Sequence, residues 1–161
     1  MKTLPIACVF GLFSAIAVSL SFAFHWPTWV MFIAWVSFYI FGRTMQSSIW
    51  AFLQIVLGMC MAVSIQLTAT AFTQIIGSLG FAVSVFLYIG ALPYVIRIKK
   101  LNNLPAWFLG LIILFGVHPP LEPLPIVSLF LPIAAGFVFA LLNYTTVEKI
   151  QARQKAQTET N

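Results

Sequence analysis

Six long apolar runs, separated by short polar or proline-containing segments, restrict what this chain can fold into more than any other feature. A helix that crosses the hydrocarbon core needs about 20 apolar residues, and the longer runs reach that length. Only 7% of the 161 residues are charged, whereas a soluble domain carries roughly a quarter. The sequence therefore predicts an all-α polytopic membrane protein with six transmembrane helices. The runs extend over Leu4 to Phe24, Pro27 to Gly42, Ser47 to Leu67, Phe72 to Ile96, Leu104 to His118 and Leu124 to Tyr144.

A single transmembrane domain over residues 1–145, followed by a polar cytoplasmic tail over residues 146–161, fits this pattern. The tail ends in KAQTETN, and we expect it to be disordered beyond a short helical extension. A signal peptide cleaved near Ala23 is the alternative for the first run. The apolar core of a signal peptide has about 7–15 residues. The greater length of the first run favours a retained helix.

The positions of lysine and arginine predict how the helices are oriented. With a cytoplasmic N-terminus, six spans place every one of these residues inside, in agreement with the positive-inside rule. The outer loops then carry only Glu122, His25 and His118 as titratable residues, and both termini lie in the cytoplasm. Because the net charge of +5 is dispersed over four segments, it does not indicate nucleic-acid binding. The cationic residues are Lys2, Arg43, Arg97, Lys99, Lys100, Lys149, Arg153 and Lys155.

Two sequence patterns recur with a separation of 78 positions, close to half the chain. Pro-x-Trp opens the second run at Pro27 and the fifth run near Pro105. The third and sixth runs share Phe-Leu-x-Ile-x-x-Gly-x-x-x-Ala, beginning at Phe52 and Phe130. A repeat of three spans inserts its two copies in opposite senses, as in many channels and transporters with 3+3 inverted repeats. Chance similarity between apolar helices is the alternative, because the first and fourth runs do not match.

The polar groups deep in the runs are neutral, and no motif of a catalytic, metal or phosphate site is present. We therefore expect no enzyme activity, no cofactor and no metal site. Gln54 lies midway along the third run, and a buried amide needs a partner from another helix, water or a solute. Pro132 lies at the repeat offset from Gln54 and would free a carbonyl near Ser128. We expect a solute path, if present, to lie between the halves of the repeat and to include these three residues.

Two segments between the runs, both predicted to lie outside, contain candidate functional residues. The segment from Val117 to Pro125 contains four prolines, which disfavour helix and predict a stiff, extended loop. Its titratable residues, His118 and Glu122, are candidates for an outer vestibule, with a purely rigid turn as the alternative; they are too few for a metal site. Neutral polar residues are expected to line the outer turn between the third and fourth runs, namely Gln66, Thr68, Thr70, Thr73 and Gln74.

These features favour a channel or facilitator for a small neutral or weakly polar solute. The alternative is a non-transporting membrane protein that acts through partner proteins or as a homo-oligomer. Small residues at four-residue spacing, such as Gly58 with Ala62, let helices approach closely and suit either function. A polar path would favour the first function, and a dry, tightly packed interior the second. The expected partners are the lipid bilayer and, in the alternative, a second copy of the chain.

Several motifs together suggest a family. The fifth run begins with LPAWFLG from Leu104 and continues to Phe115-Gly116. An apolar run rich in leucine, alanine and glycine follows at Leu129 to Leu142, and a basic tail with alanine and glutamine at Glu148 to Gln157. With these motifs the chain resembles the uncharacterised family of small bacterial inner-membrane proteins that includes YcdZ. The resemblance implies a location in the bacterial plasma membrane. It implies no activity and no site residues, because that family is a domain of unknown function.

Overall fold

The computed structural model describes residues 3–159, so Met1, Lys2 and residues 160–161 lie outside the described part. Within residues 3–159 the secondary structure is helical and includes no strand, which confirms the predicted all-α class. The helices are α1 (Leu4–Ala23), α2 (Thr28–Phe41), α3 (Met45–Ile76), α4 (Leu79–Val95), α5 (Leu104–Val117), α6 (Pro123–Ser128) and α7 (Phe130–Glu159).

Three helical segments of the described residues are long and apolar enough to cross a membrane, namely Leu4–Ala23, Met45–Ile76 and Pro123–Gln157. The helices α2 and α5 are shorter, with 14 residues each, or about 21 Å at 1.5 Å per residue. Large apolar side chains are exposed, among them Phe86 at 75% and Leu124 at 80%. Such a surface is compatible with a membrane protein, because lipid covers it without a cost in hydration.

The helices form two compact units. The first unit comprises Met1–Ser48 and Leu129–Asn161, and the second comprises Ile49–Ser128. In the first unit α2 packs along α7, and α1 contacts both. In the second unit α3 packs against α5. The end of α3, near Thr73, packs against the start of α4 at Gly80.

The polar tail does not become disordered where the sequence predicted it to do so. The helix α7 passes through residue 145 without a break and continues to Glu159. A helix that is already nucleated by a long apolar segment propagates easily, and alanine, glutamine, lysine and arginine are good helix formers. The helical extension after Tyr144 is therefore longer than the short one expected, and the division into a transmembrane domain and a cytoplasmic tail stays a prediction.

The third helix is longer than its apolar run. It ends at Ile76 instead of Leu67, and α4 begins at Leu79 instead of Phe72. The polar residues expected in a turn are helical, and the Thr70 hydroxyl donates to the carbonyl of Gln66 at 2.9 Å. The helix ends at Gly77, whose φ of 63° is left-handed and accessible to glycine at little cost.

The proline-rich segment is also only partly as predicted. His118 ends α5 in a left-handed conformation with φ 51°, but α6 begins at Pro123 and includes Pro125. Proline fits the first turn of a helix because the N–H groups of that turn have no intrahelical partner. The helix is next interrupted at Leu129, between α6 and α7 and one turn before Pro132. This is expected, because the backbone nitrogen of proline cannot donate a hydrogen bond.

Candidate functional site

In the second unit, α3 and α5 cross at two glycines. A Cβ atom on Gly58 would overlap the carbonyl oxygen of Trp107 and lie 3.1 Å from the Cα of Gly110. A Cβ atom on Gly110 would lie 2.7 Å from the backbone nitrogen of Met59. Backbone therefore touches backbone at this crossing, which only small residues permit.

In the first unit, α7 and α2 cross at corresponding residues. A Cβ atom on Gly136 would overlap the carbonyl oxygen of Met31 and lie 2.7 Å from the Cβ of Ala34. Gly136 follows Gly58 by 78 positions in the chain. The residues that face these two glycines, 31 and 34 in α2 and 107 and 110 in α5, are separated by 76 positions. The same contact is therefore built twice, once in each unit.

The buried positions of the two long helices follow the same rule. From residue 49 onward, α3 has eight buried positions, and adding 78 to each gives all eight buried positions of residues 129–157. In α3 these are Ala51, Gln54, Ile55, Gly58, Met59, Ala62, Ile65 and Ala69. Their counterparts are Leu129, Pro132, Ile133, Gly136, Phe137, Ala140, Asn143 and Val147.

The short helices match at a different offset. The bounds and the six buried positions of α2 coincide with those of α5 after a shift of 76. The predicted equivalence of Pro27 and Pro105 is therefore wrong, because Pro27 is the residue before α2 and Pro105 is the second residue of α5. The buried sets are Val30, Met31, Ala34, Trp35, Ser37 and Phe38, and Ala106, Trp107, Gly110, Leu111, Ile113 and Leu114.

The Gln54 side chain is buried, with 2% of its surface exposed, and both of its polar atoms have partners within its own unit. Its Nε2 donates to the carbonyl of Trp50 at 3.0 Å. Its Oε1 accepts the N–H of Asn103 at 2.8 Å, immediately before α5. The indole of Trp107 donates to the carbonyl of Leu101 at 3.0 Å and holds the same connecting segment. Gln54 therefore ties α3 to the start of α5, and its role in a solute path stays a prediction.

The other two predicted path residues fall in different units. Ser128 is exposed at the end of α6 in the second unit, and its hydroxyl donates to the carbonyl of Pro125 at 2.7 Å. Pro132 is buried in the first turn of α7 in the first unit. Their assignment to a solute path also stays a prediction.

The outer vestibule candidates, His118 and Glu122, are exposed, and neither of them lines the groove of the second unit. The groove has a volume of about 540 Å³ and lies entirely in the second unit. Its walls carry amides and hydroxyls but no charge, because its lining residues are Gln66, Ala69, Thr70, Thr73, Gln74, Phe81 and Leu121. No group of three metal-ligating side chains occurs among the described residues.

Sequence reasoning missed Asn143, which is fully buried in α7. Its Oδ1 accepts the hydroxyl of Tyr39 at 2.9 Å, but its Nδ2 has no hydrogen-bonding partner. An unsatisfied buried donor of this kind costs about 1–3 kcal/mol. The signal was available, because an asparagine inside the last apolar run raises the same question as Gln54 in the third.

In the first unit, several aromatic rings cluster near Tyr39, the hydrogen-bonding partner of this amide. Trp35 stacks on Phe139 at 6.1 Å between centroids, and Tyr39 meets the ring of Tyr144 edge to face at 6.3 Å. The guanidinium of Arg43 lies 5.8 Å from the centre of the Tyr39 ring. The Tyr144 hydroxyl donates to the Glu148 carboxylate. The Asn143 amide is therefore hydrogen-bonded to one member of an aromatic cluster that also contacts the charged groups of Arg43 and Glu148.

The family model described as "Protein of unknown function (DUF1097)" matches residues 7–147. This match covers all of α2 to α6, most of α1 and much of α7. It confirms the expectation of a domain-of-unknown-function family. No curated protein and no solved structure matches the chain.

Proposed function

Because the chain belongs to the DUF1097 family of proteins of unknown function, we propose its function from its own geometry. We infer a channel or facilitator for a small neutral or weakly polar solute in the bacterial inner membrane. The observation that carries this proposal is the helix crossing that is built twice, at Gly58 in one unit and at Gly136 in the other. The YcdZ-like name stays a resemblance and adds no activity.

The duplicated crossing supports an inverted repeat. One copy comprises α1 to α3, and the other comprises α4 to α7, with α6 and α7 together as its last span. An odd number of spans per copy inserts the copies in opposite senses. That plan is common in channels and transporters, where solute sites lie near the midplane. The short helices α2 and α5, at about 21 Å against a hydrocarbon core of about 30 Å, occupy matching places in the two copies.

The copies are intertwined in this arrangement. The long helix α3 of the first copy packs on the short helix α5 of the second copy, at Gly58 and Gly110. The long helix α7 of the second copy packs on the short helix α2 of the first, at Gly136 and Ala34. Each compact unit therefore holds helices from both copies, and neither copy is expected to fold without the other.

The polar residues support a neutral solute. The buried polar side chains of the described residues are all uncharged, and ion-coupled transport usually places ionisable residues within the membrane. The groove beside α3 is likewise lined by neutral groups. A neutral path replaces part of the hydration of a solute with hydroxyls, amides and carbonyls. The buried polar residues are Ser21, Ser37, Ser48, Gln54, Ser84 and Asn143.

The proposed topology has six spans with both termini in the cytoplasm, and the positions of lysine and arginine support it. In this topology the start of α3 near Arg43 is cytoplasmic, and the groove near Thr73 lies at the outer end of the same helix. A helix of 32 residues extends for about 48 Å at 1.5 Å per residue. It therefore reaches beyond the hydrocarbon core, and the groove lies in the outer polar layer.

Flux through reconstituted liposomes tests the proposal. The purified chain is incorporated into liposomes, and light scattering follows re-swelling after mixing with acetamide, urea or glycerol. We expect at least a fivefold faster rate for one of these solutes than in protein-free liposomes, with no increased leak of potassium ions. Gly136→Leu, which places a large side chain against the backbone of α2, serves as the inactive control, and Gly90→Leu, which faces open space, as the matched active one. Rates equal to those of protein-free liposomes for every solute would contradict the proposal.

A second candidate function, a non-transporting protein that acts as a homo-oligomer or through partners, is favoured by the faces of α1 and α4. Only Ala17 and Ser21 of α1 are buried, and only Gly80, Ser84 and Leu92 of α4. Lipid covers these faces in a monomer, and a second copy covers them in an oligomer. A stable dimer in nanodiscs, together with no flux of any solute, would favour this second function.

A further inference from the structure

The unpaired amide of Asn143 suggests which solutes the proposed facilitator takes. Buried polar groups in proteins nearly always have a hydrogen-bonding partner, and the exceptions usually mark a bound water, an ion or a functional role. Asn143 is fully buried, and its Nδ2 is the buried side-chain nitrogen or oxygen in the described residues that has no partner. The Nδ2 group can therefore donate a hydrogen bond to the acceptor atom of a bound molecule.

We propose that Asn143 binds the solute directly, by donating a hydrogen bond from Nδ2 to a carbonyl oxygen of a small neutral amide. The inference rests on the proposed function, because it assigns the substrate class of the same facilitator. In the proposed topology Asn143 lies towards the cytoplasmic end of α2, because its partner Tyr39 lies beside Arg43, and we expect the solute to reach it from that side.

The position in the repeat indicates that the amide is not required for packing. The buried residue that matches Asn143 in α3 is Ile65, which is apolar. Neighbouring matched pairs on the same faces are identical or both apolar, such as Ala62 with Ala140. An isoleucine therefore serves the packing role in one copy, and the amide in the other copy is an addition.

The surroundings favour a planar solute with both donor and acceptor atoms. The rings of Tyr39, Tyr144 and Phe38 lie together, with Phe38 and Tyr144 5.6 Å apart between centroids. Flat amide groups pack well against aromatic faces. The oxygen and nitrogen of an asparagine side chain are exchanged by a 180° rotation. An amide solute, which carries a C=O and an N–H, satisfies the unpaired atom in either orientation.

A trapped water molecule offers the same acceptor chemistry as a carbonyl oxygen and is the competing occupant. A second competing role is purely structural, in which the hydrogen bond between Tyr39 and Asn143 only ties α2 to α7. Both competitors predict that the protein has no affinity for amides, so a direct binding measurement separates them from the proposal.

Saturation-transfer NMR with acetamide on the full-length chain in detergent micelles tests this inference. We expect transfer from the protein to the acetamide methyl group in the unmodified chain. In Asn143→Ile, which copies the matched residue Ile65, we expect at least a tenfold weaker Kd. Tyr39→Phe removes the donor that orients the amide, and we expect about a threefold weaker Kd. The control is Ser37→Ala, because this buried hydroxyl donates within α2 to the carbonyl of Ile33; its affinity should not change.

Thermal unfolding shows which variants fold. If Asn143→Ile does not fold, the acetamide affinity of Tyr39→Phe tests the inference in its place. No transfer to acetamide in the unmodified chain would overturn the inference in favour of a bound water only. A Kd for acetamide in Asn143→Ile equal to that of the unmodified chain would also overturn the inference. If Asn143→Ile does not fold, an unchanged Kd in Tyr39→Phe would do the same. Asn143-dependent binding without flux in liposomes would remove the proposed function but keep the site. Flux that is unchanged in Asn143→Ile, with no binding of acetamide, would keep the function and remove the site.

Discussion

Adding a single methyl group at the duplicated crossing should destabilise the protein in either unit by a similar amount. The perturbations are Gly58→Ala and Gly136→Ala. In each case the new Cβ would overlap a backbone carbonyl oxygen, of Trp107 in one unit and of Met31 in the other. A backbone atom in a packed helix cannot move aside in the way that the end of a flexible side chain can.

The magnitude follows from two opposing terms. Overpacking costs about 1–3 kcal/mol, and contact with backbone places both substitutions at the upper end of that range. Alanine is about 1 kcal/mol more favourable than glycine within a helix. The net loss in the free energy of unfolding is therefore about 2 kcal/mol for each variant. The matched controls are Gly11→Ala and Gly90→Ala, because a Cβ atom at either glycine has no atom within 4 Å; these should be neutral or stabilising.

Unfolding in mixed micelles with increasing sodium dodecyl sulfate, followed by circular dichroism, measures these differences. The variants at the crossings should unfold at lower denaturant than the unmodified chain, and the controls should not. If Gly136→Ala were as well tolerated as Gly11→Ala, the close contact between α7 and α2 would be refuted. If only one of the two crossing variants were destabilised, the reasoning that the same contact is built twice would fail.

Replacing Gln54 by leucine should lower the free energy of unfolding by about 1–3 kcal/mol, because the Asn103 N–H loses its acceptor; an unchanged denaturation midpoint would contradict this structural role. Green fluorescent protein fused after residue 161 should fluoresce, and alkaline phosphatase at the same place should be inactive, whereas the reverse pattern would overturn the cytoplasmic location of the C-terminus. Residues 1–77 and 78–161 expressed separately should each fail to accumulate and should co-purify when expressed together; one stable half on its own would show that the copies are not intertwined.

The short helices were predictable because local signals fix their ends. The residues before and after α2, Pro27 and Gly42, are the limits of the apolar run that contains it. The run that begins at Leu104 likewise ends within one residue of α5. Proline fixes its own φ and disfavours helix in the residue before it, whereas glycine accepts the positive φ of a helix end. Where the chain carries such residues, apolar runs and helices coincide.

The end of α3 was not predictable from hydropathy, because threonine and glutamine interrupt the apolar run without interrupting the helix. Hydroxyl groups can donate to carbonyls one turn earlier, as Thr70 does, and the helix then continues until Gly77. The segment from Val117 to Pro125 differs from its prediction for the opposite reason. Its prolines predict the absence of helix, but Pro123 and Pro125 occupy the first turn of α6, where proline is tolerated.

The partners of the buried amides required the tertiary structure. Gln54 meets the N–H of Asn103, which lies 49 positions further along the chain, and no local pattern relates the two residues. The repeat was suggested by the shared motif around Gly58 and Gly136, but the alignment of the short helices relied on Pro-x-Trp. Pro27 precedes α2, whereas Pro105 lies inside α5. The Pro-x-Trp motif therefore aligns the two helices with an offset of 78, whereas their buried positions match with an offset of 76.

The differences between the matched helices say more about function than their similarities. Among the eight matched buried pairs of α3 and residues 129–147, polarity differs in two, Gln54 with Pro132 and Ile65 with Asn143. Packing alone would allow an apolar residue at all four positions, so each amide needs a separate reason. For Gln54 the structure supplies one, since both polar atoms bind backbone in its own unit. For Asn143 it supplies a partner for the oxygen and none for the nitrogen. The unexplained half of that amide is therefore where a ligand of this protein should first be sought.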